Sequence, residues 1–255
     1  MPEAALSIAG SDPSGGAGIQ ADIKTFALMG VYGMAVPAAL TVQNTRGVIS
    51  VKALPPKLII EQINAIFDDI RPGAVKTGML LNAATVGAVA ATLRERRAKN
   101  IVVDPVMVSS SGKRLLKKDA VGALTGLLFP LAALVTPNVA EAALLSGIEI
   151  KNVEDAKEAA RRIRALGPRA VLVKGGHLPG APIDVLFDGR TFTHYTGRRV
   201  GGKDIHGAGC VLSAAVTAGL AKGLSLRDAV AAAKGFVSKA IKKALPVGEG
   251  RAPLV

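Results

Sequence analysis

The stretch AALSIAGSDPSGGAGIQADIKTF, residues 4–26, decides the fold. Its apolar run from Ala4 to Ala9 stops at Gly10, turn formers fill Ser11 to Gly18, and apolar residues recur at helical spacing from Ile19 to Met29. That order is a strand, a glycine loop and a helix. The alternation continues outward with a strand over Met34–Val42, an edge hairpin through Val48–Ala53, a helix over Lys57–Asp69 and a strand over Ala74–Thr77. Helix Ala83–Arg97 leads to strand Ile101–Val103, and helix Leu116–Leu128 leads to strand Ala133–Thr136. Helices from Val139 and over Glu154–Leu166 lead to strand Ala170–Val173. Asp184–Asp188 and Thr191–Tyr195 read as an appended hairpin, followed by helices over Gly209–Lys222 and Leu226–Lys243. Short apolar runs separated by helical periods predict an α/β fold, with a mostly parallel central sheet covered by helices on both faces. No linker, repeat or low-complexity tract interrupts the 255 residues, so one domain over 1–255 is expected.

Composition narrows the class. An apolar content of 49% excludes disorder, and the 29 glycines lack the three-residue period of collagen. The single cysteine, Cys210, cannot form an internal disulfide and fits a reducing compartment. The N-terminus carries an acid where a secretory leader carries a base, and the apolar runs fall short of the ~18–20 residues a membrane span needs. A cytoplasmic protein without membrane attachment is expected. The net charge, 32 − 19 = +13, raises the question of nucleic acid. Binders of single strands interleave basic residues with stacking aromatics, whereas this chain has no Trp, two Tyr and six Phe. Its basic clusters, at Arg94–Lys99, Lys113–Lys118 and Lys239–Lys243, fall on expected helix faces and ends. The charge therefore points to a small anionic substrate rather than to nucleic acid.

Polar residues gather after the strand ends, where open α/β sheets bind ligands. Gly207-Ala208-Gly209-Cys210 opens an apolar helix whose first N–H groups lack intrahelical partners and suit an anion. A helix N-terminus lowers a thiol's pKa, which makes Cys210 a candidate base, although a small buried cysteine behind a turn fits the same residues. The loop Ser14–Gly18 matches neither a Walker A motif nor Gly-x-Gly-x-x-Gly, so it is a tight turn or a substrate contact. Asp104 ends a buried strand, where an acid needs a partner or a cation. Asn138 and Glu141 read either as a capping box or as a ligand set that includes Glu141 for Mg²⁺ held through water. Lys174, beside Gly175-Gly176, suits a phosphate clamp. His177, His194 and His206 share no zinc spacing, and Ser14 and Ser109–Ser111 lack a hydrolase elbow. An acid, an Asn-x-x-Glu, a lysine and an anion-binding helix start on one rim are the parts of phosphoryl transfer.

The segments ALSIAGSDPSGGAGIQADIKTF, LTVQNTRGV, FDDIRPGAVKTGML, VVDPVMVSSSG, LVTPNVAEAALL, VLVKGGHLPG and DIHGAGCVLSAAV, in this order, resemble one family. It is the hydroxymethylpyrimidine kinase/phosphomethylpyrimidine kinase family of thiamine biosynthesis, of the ribokinase-like superfamily. The resemblance implies a three-layer ribokinase-like sandwich and ATP-dependent phosphorylation of 4-amino-5-hydroxymethyl-2-methylpyrimidine, then of its monophosphate. By the same resemblance Gln43 holds the pyrimidine in a pocket lined by Gly10, Asp22, Met79 and Val106. Cys210 matches the catalytic base, and Gly207, Ala208 and Gly209 offer N–H groups to the transferring phosphoryl group. Asp104 and Glu141 match the Mg²⁺ positions, and Asn138, Lys174 and Gly175 the nucleotide-phosphate contacts. Homodimers are common among such relatives, though the residues here do not reveal an oligomeric state.

Three segments depart from the family pattern. Relatives commonly read His-Gly-Thr-Gly-Cys where His206-Gly207-Ala208-Gly209-Cys210 stands, and Lys-Ile-Gly-Met where Lys76-Thr77-Gly78-Met79 stands. Arg198–Asp204 is rich in glycine and base where an acidic or polar lead-in is expected. No extension follows the last helix, so a fused second thiamine-pathway activity is not expected. Two alternatives stay open: a pyridoxal or pyridoxine kinase of the same superfamily, and a non-catalytic pyrimidine sensor or basic nucleic-acid binder.

Overall fold

The computed structural model describes residues 3–108, 115–176, 178, 180–197, 205–244 and 246–254. Ser109–Ser111, Lys113, Arg114, His177 and Arg198–Asp204, all considered above, lie outside the described residues.

Nine strands build the main sheet: β1 (Ala4–Ser11), β2 (Tyr32–Asn44), β3 (Gly47–Ala53), β4 (Ala74–Thr77), β5 (Ile101–Val103), β6 (Leu134–Val135), β7 (Val171–Val173), β8 (Ile183–Phe187) and β9 (Phe192–Thr196). Their order is β3-β2-β1-β4-β5-β6-β7-β8-β9. From β2 to β7 every neighbour is parallel, and β3, β8 and β9 run antiparallel at the edges. The parallel sheet follows from the sequence, because each apolar run is separated from the next by a helix long enough to cross over.

Successive side chains of a strand point to opposite faces, and the core divides accordingly. Leu6, Ile8, Val75, Val103, Val135 and Val173 pack on one side with α2 (Pro56–Asp69), α3 (Ala83–Glu95), α4 (Lys118–Ala123), α5 (Val139–Ser146) and α6 (Val153–Ala165). Ala74, Val102, Leu134 and Leu172 pack on the other with α1 (Gly18–Leu28), α7 (Ala208–Ala221) and α8 (Leu226–Lys243). The outcome is a three-layer α/β sandwich. Among the described residues no helix is long and apolar enough to cross a membrane.

Two features differ from the reading of the sequence. The helix expected from Leu116 starts at Lys118 and loosens into a π-helical turn over Leu124–Leu128 and a 3₁₀ turn over Phe129–Leu131. Pro130 explains that ending, since it lacks the N–H that would continue an α-helix. Beyond the main sheet, β10 (Ile205–His206) pairs with β11 (Ala252–Pro253), bringing the last described residues back beside the start of α7.

Candidate functional site

Strand order reverses at β1: the next strand in the chain, β2, lies on one side of it, and β4 lies on the other. Ligands of open α/β sheets bind outside the carboxyl ends of the strands at such a point. A cleft opens there. Its wall takes Gly10 and Asp12 from the end of β1, Gln43 from β2, Met79 from beyond β4 and Asp104 and Val106 from beyond β5. Asn138, Glu141, Lys174, Gly207, Gly209 and Cys210 complete it.

The glycine loop is a turn wrapped on its own acid. The Asp12 carboxylate accepts the Ser14 N–H (2.9 Å), the Ser14 hydroxyl (2.7 Å), the Gly16 N–H (3.2 Å) and the Ala17 N–H (2.8 Å). Burial raises the pKa of Asp12, but hydrogen bonds from His206 and Ser14 outweigh it and hold the carboxyl below its usual range. A loop whose N–H groups are satisfied in this way has little left for a phosphate, which distinguishes it from a P-loop. Gly10 plays a different part: its missing side chain leaves the space that the flexible end of Met79 occupies. A side chain there would collide with the Met79 methyl, which sits with Ala39, Leu115 and Val106 in an apolar cluster beside Gln43.

Against the glycine loop α7 starts from Gly207, whose φ of 82° is left-handed and whose missing side chain makes room for the Gly16 carbonyl. The first bond of this helix runs from the Val211 N–H to the Gly207 carbonyl, at 2.9 Å. The N–H groups of Ala208, Gly209 and Cys210 therefore precede the helical ladder, as an anion-binding terminus requires. Gly209 and Cys210 line the cleft, and Ala208 stands just behind them. The expected thiolate at Cys210 is corrected here. Burial pushes the thiol up to about 11, overriding the Lys76 charge and the Gly18 N–H, which pull the other way, while the nearby carboxylates add to the rise. Desolvation outweighs the helix terminus here, although Cys210 is part-buried rather than enclosed.

Asp104 is 2% exposed and lies at the centre of a charged cluster. Its carboxylate accepts from Lys174 Nζ at 2.9 Å, Thr136 Oγ1 at 3.3 Å and Ser213 Oγ at 3.1 Å. Burial raises its pKa, but Lys174 and Lys76 outweigh that and hold it low. Lys174 is held above the usual lysine value, because Asp104 and Glu141 more than offset its burial. Glu141 fulfils the capping reading of its motif. Its Oε2 accepts the Asn138 N–H (2.9 Å) while Asn138 Oδ1 accepts the Glu141 N–H (2.9 Å), a full capping box, and Glu141 also lines the cleft. Burial, augmented by the charge of Asp104, pushes its carboxyl up to about 7 against the pull of Lys174.

Asp22, expected in the pocket lining, lies instead behind the wall with its side chain fully buried. It receives Lys76 Nζ on both oxygens, at 2.6 and 2.7 Å, and the Ser7 hydroxyl at 2.6 Å. Gly175 also stands outside the wall, and its N–H donates to Asp184 Oδ1 at 2.9 Å rather than facing the cleft. The sequence reading missed Lys76, Ser213 and His206, whose Nε2 lies 2.9 Å from Gln43 Nε2 and 3.3 Å from Asp12 Oδ2. Signals for the first two existed: a lysine inside the short strand Ala-Val-Lys-Thr, and a serine three positions after Cys210 on the same helix face.

Among the described residues no three His, Cys, Asp or Glu side chains converge to hold a metal alone. Asp104 and Glu141 nevertheless suit Mg²⁺, which prefers carboxylate oxygen and keeps several waters. Burial holds the carboxyls of Asp22 and Glu141 above their usual values, and a hard cation at the rim would favour the charged form of Glu141.

The profile of the phosphomethylpyrimidine kinase family matches residues 12–255. The chain is 50% identical over 260 residues to the hydroxymethylpyrimidine/phosphomethylpyrimidine kinase of Rhizobium meliloti, covering 100% of this chain and 97% of that one. It is 49% identical over 250 residues to the thiamine biosynthesis bifunctional protein ThiED of Geobacter sulfurreducens, where 98% of this chain spans 51% of the relative's length. Among solved structures, an ADP complex of Bacillus subtilis pyridoxal kinase superposes with a TM-score of 0.91 at 41% identity, covering 99% of this chain and 96% of the other. The match of the family profile to nearly the whole chain, with full-length relatives at such identity, places this chain in the phosphomethylpyrimidine kinase family.

Proposed function

We propose that the protein transfers the γ-phosphoryl group of ATP to the hydroxymethyl group of 4-amino-5-hydroxymethyl-2-methylpyrimidine, and then a second phosphoryl group to the resulting monophosphate. The observation that carries this reading is that Gln43 and Cys210 line one cleft together with Lys174, Asp104 and Glu141. An amide both donates and accepts, as the edge of an aminopyrimidine does. The Met79 cluster gives the ring a flat apolar floor. The hydroxymethyl group then points toward the start of α7, where the N–H groups of Gly209 and Cys210 stabilise the charge that builds on the transferring group.

Lys174 neutralises phosphate oxygens and Asp104 keeps its ammonium aimed at the cleft. Asp104 and Glu141 would hold Mg²⁺ through water. When bound, the ion supplies neutralisation of the nucleotide phosphates. Cys210 accepts the hydroxyl proton. A thiolate with so high a pKa is a strong acceptor but scarce at neutral pH, so its population limits the proton transfer. Incubation with ATP, Mg²⁺ and the aminopyrimidine is expected to yield the monophosphate followed by the diphosphate, read by chromatography. Absence of both products overturns the reading.

The likeness to a pyridoxal kinase supports a second substrate ring. A hydroxymethyl pyridine offers the same alcohol, so kcat/KM on the two rings, measured side by side, decides the preference.

A further inference from the structure

Asp184 stands on β8, one residue before Val185, which is in register with Val173 at the end of β7. Its buried carboxylate has partners on two different elements. Oδ1 accepts the Gly175 N–H at 2.9 Å, and Oδ2 receives Lys234 Nζ from α8. Gly175 directly follows Lys174, and the chain there runs hard against β8, so that a Cβ at Gly175 would collide with the Ile183 carbonyl oxygen. Lys174 is fixed on its other side as well, because its own N–H donates to the Pro137 carbonyl at 2.8 Å. The lysine backbone is thus pinned between the segment after β6 and the strand β8, while its ammonium reaches Asp104 at 2.9 Å. The room for that ammonium is narrow: a Cβ at Gly209 would stand 3.1 Å from Lys174 Nζ. The head of the lysine therefore lies against the first turn of α7, and a small shift of its backbone moves it against that turn or away from it.

We propose that Asp184 is a positioning residue for the phosphate clamp: it holds the Gly175 N–H, and with it the backbone that aims Lys174 at the nucleotide phosphates, while Lys234 cancels the charge it would otherwise set behind them. Removing the acceptor leaves a buried N–H without a partner and frees the turn after β7 from β8. Removing Lys234 instead keeps that hydrogen bond but leaves an uncompensated carboxylate behind the clamp, which repels phosphate oxygens. Both changes act at the nucleotide end of the cleft. The ring end, with Gln43 and Met79, is carried by β2 and by the residues after β4. The inference rests on the kinase reading above, in which Lys174 meets the phosphates.

The test measures kcat and the separate KM values for ATP and for the ring substrate in wild type, Asp184→Ala, Asp184→Asn and Lys234→Met. Asp184→Ala is expected to raise the KM for ATP ~3–10-fold, the worth of one oriented hydrogen bond, with the KM for the ring nearly unchanged. Asp184→Asn keeps an oxygen for the Gly175 N–H and should recover most of the loss. Lys234→Met should raise the ATP KM by a similar factor, and adding Asp184→Asn should cancel that rise. A wild type that phosphorylates neither the aminopyrimidine nor the pyridine overturns the functional reading and this inference together. With an active wild type, the inference alone falls if Asp184→Ala leaves the ATP KM unchanged, raises both KM values equally, or is not rescued by Asp184→Asn. Should Asp184→Ala fail to fold by its melting curve, Lys234→Met with and without Asp184→Asn decides. A selective rise in ATP KM that the second substitution removes supports the inference, and an unselective rise, a persistent one or none overturns it.

Discussion

Lys76 Nζ contacts both carboxylate oxygens of Asp22, at 2.6 and 2.7 Å, in a pair with neither side chain exposed. Burial alone would depress the ammonium, but Asp22, with Cys210 and Asp104, outweighs it and keeps Lys76 charged. Breaking such a pair leaves an ion without water or partner. Lys76→Met is expected to cost about 3–5 kcal/mol in urea unfolding, whereas the double replacement Lys76→Met with Asp22→Leu should recover much of that. A single variant as stable as wild type would show that the pair carries no such strain.

Cys210→Ala should lower turnover by ~10²–10⁴-fold while the melting curve changes little, the span associated with a general base. The sign of the pH dependence follows from the raised thiol. Its active form is the deprotonated one, so wild-type kcat/KM should climb with pH through the neutral and alkaline range toward about 11. A flat profile there would remove the thiolate from the rate-determining proton transfer.

Glu141 links stability to pH. Its folded pKa, about 7, lies above the ordinary 4.5, so the folded state prefers the protonated carboxyl. The stability this confers is complete below about 4.5 and is lost as pH rises through about 7. Urea midpoints across that window should fall with rising pH, and Glu141→Gln should flatten the slope.

Gly207→Ala adds a methyl group at a left-handed φ of 82° and against the Gly16 carbonyl. The conformational term alone is worth about 1–2 kcal/mol, and the collision forces the two loops apart. Both a lower melting temperature and loss of phosphorylation are expected. A variant that keeps full activity would mean that the loops need not touch.

Thr77 is fully buried, and among the described residues its Oγ1 has no hydrogen-bond partner. An unsatisfied buried hydroxyl is unfavourable, so Thr77→Val should raise stability by about 1 kcal/mol. Calorimetry of the two proteins checks this.

Much of this was legible in the residues. Apolar runs such as Ala4–Ala9 announce parallel strands because each must be buried on both faces, and Asp104 and Cys210 stand out because they interrupt such surroundings. The Asp22–Lys76 pair was not legible. Its members are 54 positions apart, and their meeting depends on the relative placement of α1 and β4. The direction of the Cys210 shift escaped for a related reason: a helix start is visible in Gly-Ala-Gly-Cys, but desolvation depends on everything packed around the sulfur. The pairing of β10 with β11 involves two residues on each side, too few to leave a periodic pattern.

The position of β1 has a consequence for the protein as it is being made. This strand, Ala4–Ser11, sits inside the sheet between β2 and β4, and α7, which packs over it, begins only at Ala208. At ordinary elongation rates of 5–20 residues per second, on the order of 10–40 s separate the two on the ribosome. This buried central strand is thus made first and covered late, so the nascent chain, rather than the finished enzyme, carries the greatest exposure to aggregation and to chaperones.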